Sequence, residues 1–216
     1  MNSPLRIKEI CGNIPPNVQI LAATKSRSVD EIKQAVNSGI KIIGENYVQE
    51  AKSKYSQLKG KCEIHLIGHL QTNKVKDAVE IFDMIQTVDS VKLAKEINKR
   101  TKKVMHILVE INIGREKNKS GIFPEDIFDF LREISQLEKI KVNGLMTMGP
   151  DFSNKENYRP LFKEMKTIFE SVKKQKIPNV SMEILSMGMS DSYDVAIEEG
   201  TNMVRLGIVL FGEKKI

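Results

Sequence analysis

The chain has 216 residues, 40% hydrophobic and 29% charged, which is ordinary for a soluble globular protein and long enough to bury a proper core. Its net charge of +6 would suit an anionic partner, but the lysines are spread through helical segments such as KLAKEINKRTKK and SVKKQK, with no tryptophan and four tyrosines, so no nucleic-acid partner is expected. No run approaches the roughly 18 apolar residues of a membrane span, and MNSPLRIKEICGNIPP carries charges where a signal peptide is apolar, so a cytoplasmic protein without membrane contact is expected.

Taken in chain order, runs rich in Ile, Val, Leu and Met recur at even intervals: QILAATK (19–25), KIIGEN (41–46), EIHLIG (63–68), DMIQTVD (83–89), HILVEINIG (106–114), VNGLMTM (142–148), SMEILSMG (181–188) and MVRLGIVLFG (203–212). Helical periods lie between them. Val75, Ala78, Val79 and Phe82 fall at i, i+3, i+4 and i+7, as do Ile127, Phe130, Leu131 and Ile134, and Leu161, Met165, Ile168, Phe169 and Val172 repeat the pattern. Eight strands alternating with helices predict an α/β fold, a closed (β/α)8 TIM barrel, as one domain over residues 1–216. An open doubly wound sheet competes, but neither GxGxxG after the first strand nor GxxxxGK[ST] is present. Cys11 and Cys62 are far apart, with no CxxC and no zinc-type spacing, so neither a disulfide framework nor a metal site is indicated.

A barrel places its chemistry where strands end. The residues there are Lys25, Glu45-Asn46, Gly68-His69, Asp89, Asn112, Thr147-Met148, Ser186 with Gly188 and Ser190, and Arg205-Leu206-Gly207. In the fifth run Ile107, Val109, Ile111 and Ile113 alternate with His106, Leu108, Glu110 and Asn112, so one face suits the helix layer and the mixed face lines the barrel. By the same count Lys25 shares a face with Leu21 and Ala23 and points up from inside the mouth. A lone lysine is ordinarily a solvated strand end. In a partly dry mouth, however, lost solvation favours the neutral amine, a nucleophile for carbonyls that makes a Schiff base.

The run SMGMSD offers Ser186, glycine-loosened amides and Ser190, and RLG with Ile208 follows at the last strand, where barrels commonly hold phosphate. Ser190-Asp191 by itself reads as a plain helix cap. Together with Lys25 the cluster points to a phosphorylated aldehyde. Arg205 shares parity with Met203 and Gly207 and so faces inward, where a ring nitrogen would serve as its acceptor.

The stretches LAATKS, IIGENYVQEAKSK, HLIGHLQTNK, VEINIGREKNKSGI, GLMTM and SMGMSDSYDVAIEEGTNMVRLGIVLFG run through nearly the whole chain. On them the sequence resembles the pyridoxal phosphate homeostasis protein family, whose members are similar to the barrel domain of fold-type III enzymes such as alanine racemase. The resemblance implies that Lys25 carries pyridoxal 5'-phosphate (PLP) as an internal aldimine and that Asn46 lies beside the ring. It implies that Ser186, Ser190, Gly207 and Ile208 hold the phosphate, that Met187 beside them is also cofactor-binding, and that Arg205 meets the pyridine nitrogen. It also implies a PLP-buffering or delivering protein, with apo PLP-dependent enzymes as recipients and no established reaction.

The segment before the first strand is shorter than the family's, which argues against a full first helix. Ser-Arg-Ser follows Lys25 where the family often has Thr-Lys-Pro, and Met148 stands where the racemases carry a ring-stacking histidine. The last strand is followed only by FGEKKI, so the racemase's second domain, with its opposing tyrosine base, is not expected, and a monomer is. Two-base racemisation needs a proton donor on each ring face. Lys25 is one; His65, His69 and His106 read as structural or surface residues. A non-enzymatic carrier is therefore the first expectation. A PLP-dependent racemase or related enzyme with weak activity is the alternative, and a Schiff-base aldolase acting on a sugar phosphate is a third.

Overall fold

In the computed structural model, which describes residues 3–213, eight parallel strands pair in sequence order and the last returns to the first, closing a barrel. The strands are β1 (Gln19–Ala23), β2 (Ile42–Glu45), β3 (Glu63–Leu66), β4 (Met84–Val88), β5 (Met105–Glu110), β6 (Ile140–Met146), β7 (Val180–Ser186) and β8 (Met203–Leu206). The helices are α1 (Ser3–Asn13), α2 (Val29–Asn37), α3 (Val48–Leu58), α4 (Val75–Ile81), α5 (Val91–Arg100), α6 (Ile127–Ile134), α7 (Arg159–Lys174), α8 (Tyr193–Glu198) and α9 (Ile208–Phe211).

Alternation along the strands splits the core in two. The outer face of the sheet, with Ile43, Ile107, Val109 and Leu145, packs on the apolar stripes of the helices, including Val75, Val79, Phe130, Leu131 and Phe169. Inside the barrel, Leu21, Ile42, Ile67 and Met203 form one apolar cluster and Met84, Leu108 and Met146 another, with Ile184 packed against both. Local signals agree with this frame. Ser28 and Glu31 form a reciprocal capping box that starts α2, and Ser90 caps α5 through the Leu93 amide.

Three expectations need correction. The eighth run is not one strand: β8 stops at Leu206, and Ile208–Phe211 form α9, with Leu210 buried. The fifth run ends as a strand at Glu110; beyond it Ile111 makes a single bridge to Ile122, and the Asn112 side chain folds the following loop by bonding the Glu116 and Lys119 carbonyls and the Glu116 amide. A first helix does form. α1 packs against α2 and α9 with Ile7 fully buried. The last three residues of FGEKKI lie outside the described residues.

Candidate functional site

The register of β1 decides which residues meet at the mouth. Ala23 is level with Gly44 on β2, and Leu21 is level with Arg205 on β8. Two residues beyond Ala23, Lys25 therefore comes level with Asn46 on one side, while on the other side Gly207 is level with Ala23, two residues before the lysine. A Cβ added at Gly207 would lie 3.6 Å from the Ala23 Cβ, so β1 and β8 run close at this point. Asn46 is seated by an equally close approach. A Cβ on Gly68 would lie 2.2 Å from the Asn46 carbonyl oxygen, so only glycine fits beside it.

Lys25 itself lies in the turn after β1 and is exposed, its Nζ 5.8 Å from the centre of the half-exposed Tyr47 ring. The chain's own side chains do not provide the drying that the sequence predicts for it. Among the described residues its ammonium makes no hydrogen bond or ion pair, so the amine is open to a ligand.

Arg205 is 3% exposed and points into the barrel, as its parity predicts. Nη1 donates to Ser186 Oγ at 2.9 Å and Nη2 to the Thr147 carbonyl at 2.7 Å, with the Met148 sulfur 3.5 Å away. Ser186 Oγ donates in turn to Gln86 Oε1 at 2.9 Å, and Gln86 Nε2 lies 3.0 Å from His65 Nδ1. This buried chain, His65–Gln86–Ser186–Arg205, fixes the guanidinium plane from below while other N–H groups of its five remain for a ligand. Burial lowers the Arg205 pKa to about 10, against the pull of Glu110.

The predicted phosphate cluster divides. Ser190, Gly207 and Ile208 come together: Ser190 Oγ accepts from the Gly207 and Val209 amides at 3.2 and 3.4 Å, and Ile208 is exposed at the rim. Ser186 and Met187 are not brought there. Ser186 is fully buried in the chain beneath Arg205, and the buried Met187 gives its amide to the Met203 carbonyl.

Of the histidines, His65 lies buried inside the barrel and His106, near the start of β5, bonds Asn143 of β6. His69 is at the mouth, 3.7 Å from Asp89. Met148 is 38% exposed beside Arg205. Cys11 and Cys62 are free thiols, and burial together with Asp83 and Glu63 pushes Cys62 up to about 11. Among the described residues no group of His, Cys, Asp and Glu is placed to hold a metal, and no helix is long and apolar enough to cross a membrane.

Two features escape the sequence reading. Glu110, on the mixed face of β5, is 8% exposed at the edge of a cavity of about 430 Å³ that Asn112, Lys119, Thr147, Met148 and Tyr158 also line. Its carboxyl has no hydrogen-bond or ion-pair partner among the described residues, and burial, with Asp89 adding, pushes its pKa up to about 7. The second feature lies outside the sheet, where Lys54 of α3 is 7% exposed and reaches Glu45 at the end of β2. A buried carboxyl on a strand's mixed face was a readable signal for Glu110; Lys54, in EAKSK, reads as an ordinary solvated helix lysine.

Comparison with known proteins bears on this arrangement. Residues 6–215 match the family model described as alanine racemase, N-terminal domain. The chain is 40% identical over 217 residues to the pyridoxal phosphate homeostasis protein of Aquifex aeolicus, covering 97% of this chain and 94% of the relative. The solved structure of PipY from Synechococcus elongatus PCC7942 with PLP bound is 31% identical and superposes with a TM-score of 0.89, covering 98% of this chain and 100% of that one. The alanine racemase of Clostridium difficile 630, 19% identical, shares the barrel with a TM-score of 0.80 over 57% of its length.

Proposed function

Because the chain belongs to the pyridoxal phosphate homeostasis protein family, within the alanine racemase N-terminal domain family, we propose that it binds PLP at the barrel mouth as a Schiff base on Lys25 and buffers or delivers the cofactor. The observation that supports this reading is the register that brings the Ser190–Gly207 contact level with Ala23, two residues before the open Lys25 amine, with the buried Arg205 guanidinium two residues below Gly207 on β8.

The residues fit the group. Bound there, PLP supplies an aldehyde, a ring nitrogen and a phosphate. Lys25 would hold the group through its amine, which would condense with that aldehyde to C=N with loss of one water. The Ser190 hydroxyl and the Ile208 amide would take the phosphate, the Gly207 amide would orient that hydroxyl, and Ser186 and Met187 would support the rim from within the fold. Asn46 would flank the ring, and Arg205 would donate to its nitrogen. A guanidinium cannot leave that nitrogen protonated, which makes the ring a weaker electron sink and suits a carrier. The reading includes a monomeric single barrel domain working in the cytoplasm, with apo PLP-dependent enzymes as recipients.

Glu110 favours a second reading, a weak racemase or related amino-acid activity, because a carboxyl ionising near 7 in the mouth can move a proton. The test is transfer. Loaded protein mixed with an apo PLP-dependent enzyme should restore its activity, without exchanging the α-proton of added amino acids into heavy water. A protein that takes up no PLP contradicts both readings, whereas α-proton exchange lost in Glu110→Gln selects the second.

A further inference from the structure

The turn that carries Lys25 is held far more firmly than the lysine itself. Lys54 Nζ sits among three acceptors: Glu45 Oε1 at 2.9 Å, Glu50 Oε1 at 2.8 Å and the Thr24 carbonyl at 3.3 Å. An ammonium has three N–H donors, so all are engaged and this buried amine cannot compete with Lys25 for an aldehyde. Glu50 Oε1 also accepts the Ser26 amide at 2.6 Å. The peptide groups on both sides of Lys25 are thus bonded to one charged cluster, through the Thr24 carbonyl before it and the Ser26 amide after it.

The side chains of two further residues fix the same turn. Thr24 Oγ1 lies 2.8 Å from Glu45 Oε1 and 3.2 Å from the Gly44 carbonyl. From the other flank, Arg27 gives its amide to the Thr24 carbonyl, bonds the Gly212 carbonyl and stacks 5.2 Å from the Phe211 ring at the end of α9. Ser26 is held at φ +60, a left-handed backbone uncommon for a residue other than glycine. A sparsely populated conformation persists only when its surroundings over-determine it.

The cluster is an expensive way to gain stability. Glu45 is 1% exposed, and its Oε2 is buried with no hydrogen-bond partner. Burial pushes its pKa up despite Lys54 and Thr24. Apolar side chains of the same volume would fill this space at less cost, since desolvating a buried ion pair can exceed its Coulombic gain. What the ions achieve, and packing would not, is a fixed direction for two peptide groups.

We propose that Lys54, clamped by Glu45 and Glu50, is a positioning residue for Lys25, orienting the turn so that the amine meets the aldehyde of a mouth-bound ligand. The inference rests on the Schiff-base reading above. A variant that loosens the turn should weaken only ligands that bond to Lys25.

The experiment compares PLP with 4-deoxypyridoxine 5'-phosphate, which keeps the ring and phosphate but has no aldehyde. Lys54→Met should weaken PLP binding by about ten-fold and lower the borohydride-trapped fraction on Lys25, while the deoxy analogue binds within about two-fold of wild type. Glu50→Gln, at a partly exposed site and so a milder change, should weaken PLP alone by about three-fold and serves if Lys54→Met does not fold. Leu58→Ala, which loosens the same helix without touching the cluster, should leave the ratio of the two affinities unchanged. Equal weakening of both ligands, or no change in either, overturns the proposal. If wild type itself binds both ligands alike and leaves no adduct on Lys25, the Schiff-base reading fails and the positioning role falls with it.

Discussion

Two buried carboxylates lie at the ends of strands and are treated in opposite ways. Glu45, on the outer face of β2, is paired with Lys54 at 2.9 Å and is sealed under α3. Glu110, on the inner face of β5, has a guanidinium in its field but no partner at bonding distance among the described residues, and it opens on a cavity. A closed barrel can place charge on either side of its sheet, and the side determines the use. On the helix side the carboxylate is locked through one oxygen to a lysine and shapes a turn; on the mouth side the carboxyl has no bonded partner and faces a space that a ligand can enter.

The largest way to break this contrast is Lys54→Met, which strands Glu45 and Glu50 without their cation. Removing one partner of a buried pair should cost about 3–5 kcal/mol in urea unfolding, and adding Glu45→Leu should recover much of it. Additive losses would mean that the pair is not coupled.

Glu110→Gln sharpens the other half. A carboxyl raised from 4.5 to about 7 on folding binds more protons folded than unfolded, so its contribution to stability is full below about 4.5 and is lost as pH rises through 7. The wild-type-minus-variant stability should therefore fall by about 3 kcal/mol across that window and then level off, with Asp89 and Arg205 present in both proteins. A flat difference contradicts the assignment. Ser190→Ala should be milder, weakening PLP binding by about 1 kcal/mol, read by titration, through loss of the hydroxyl and loosening of the Gly207 amide. Lys25→Ala is the smallest effect on the fold: an exposed turn side chain should change the unfolding free energy by less than about 0.5 kcal/mol.

Much of this was legible in the chain. Strand count and order follow from alternating apolar runs, and parity alone placed Arg205, Leu21 and Leu108 inside the barrel and Ile107 and Val109 outside it. Depth was not legible. Ser186 is level with Met203, two residues below Arg205, so the register between β7 and β8 sinks its hydroxyl beneath the guanidinium instead of leaving it at the rim. The run IVLF after Gly207 has strand composition but is too short for periodicity to decide, and docking of α9 on α1 makes it helical. Lys54 was hidden for the opposite reason: it follows Glu50 at the spacing of a surface ion pair, and only the packing of α3 over the end of β2 buries it.

The measurement closest to the central claim is borohydride reduction of PLP-loaded protein followed by mass spectrometry of its peptides. A band near ~420 nm that disappears on reduction, leaving a pyridoxyl group on Lys25 and none in Lys25→Ala, is the predicted result. An adduct on another lysine, or a protein that stays colourless in excess PLP, would contradict the account.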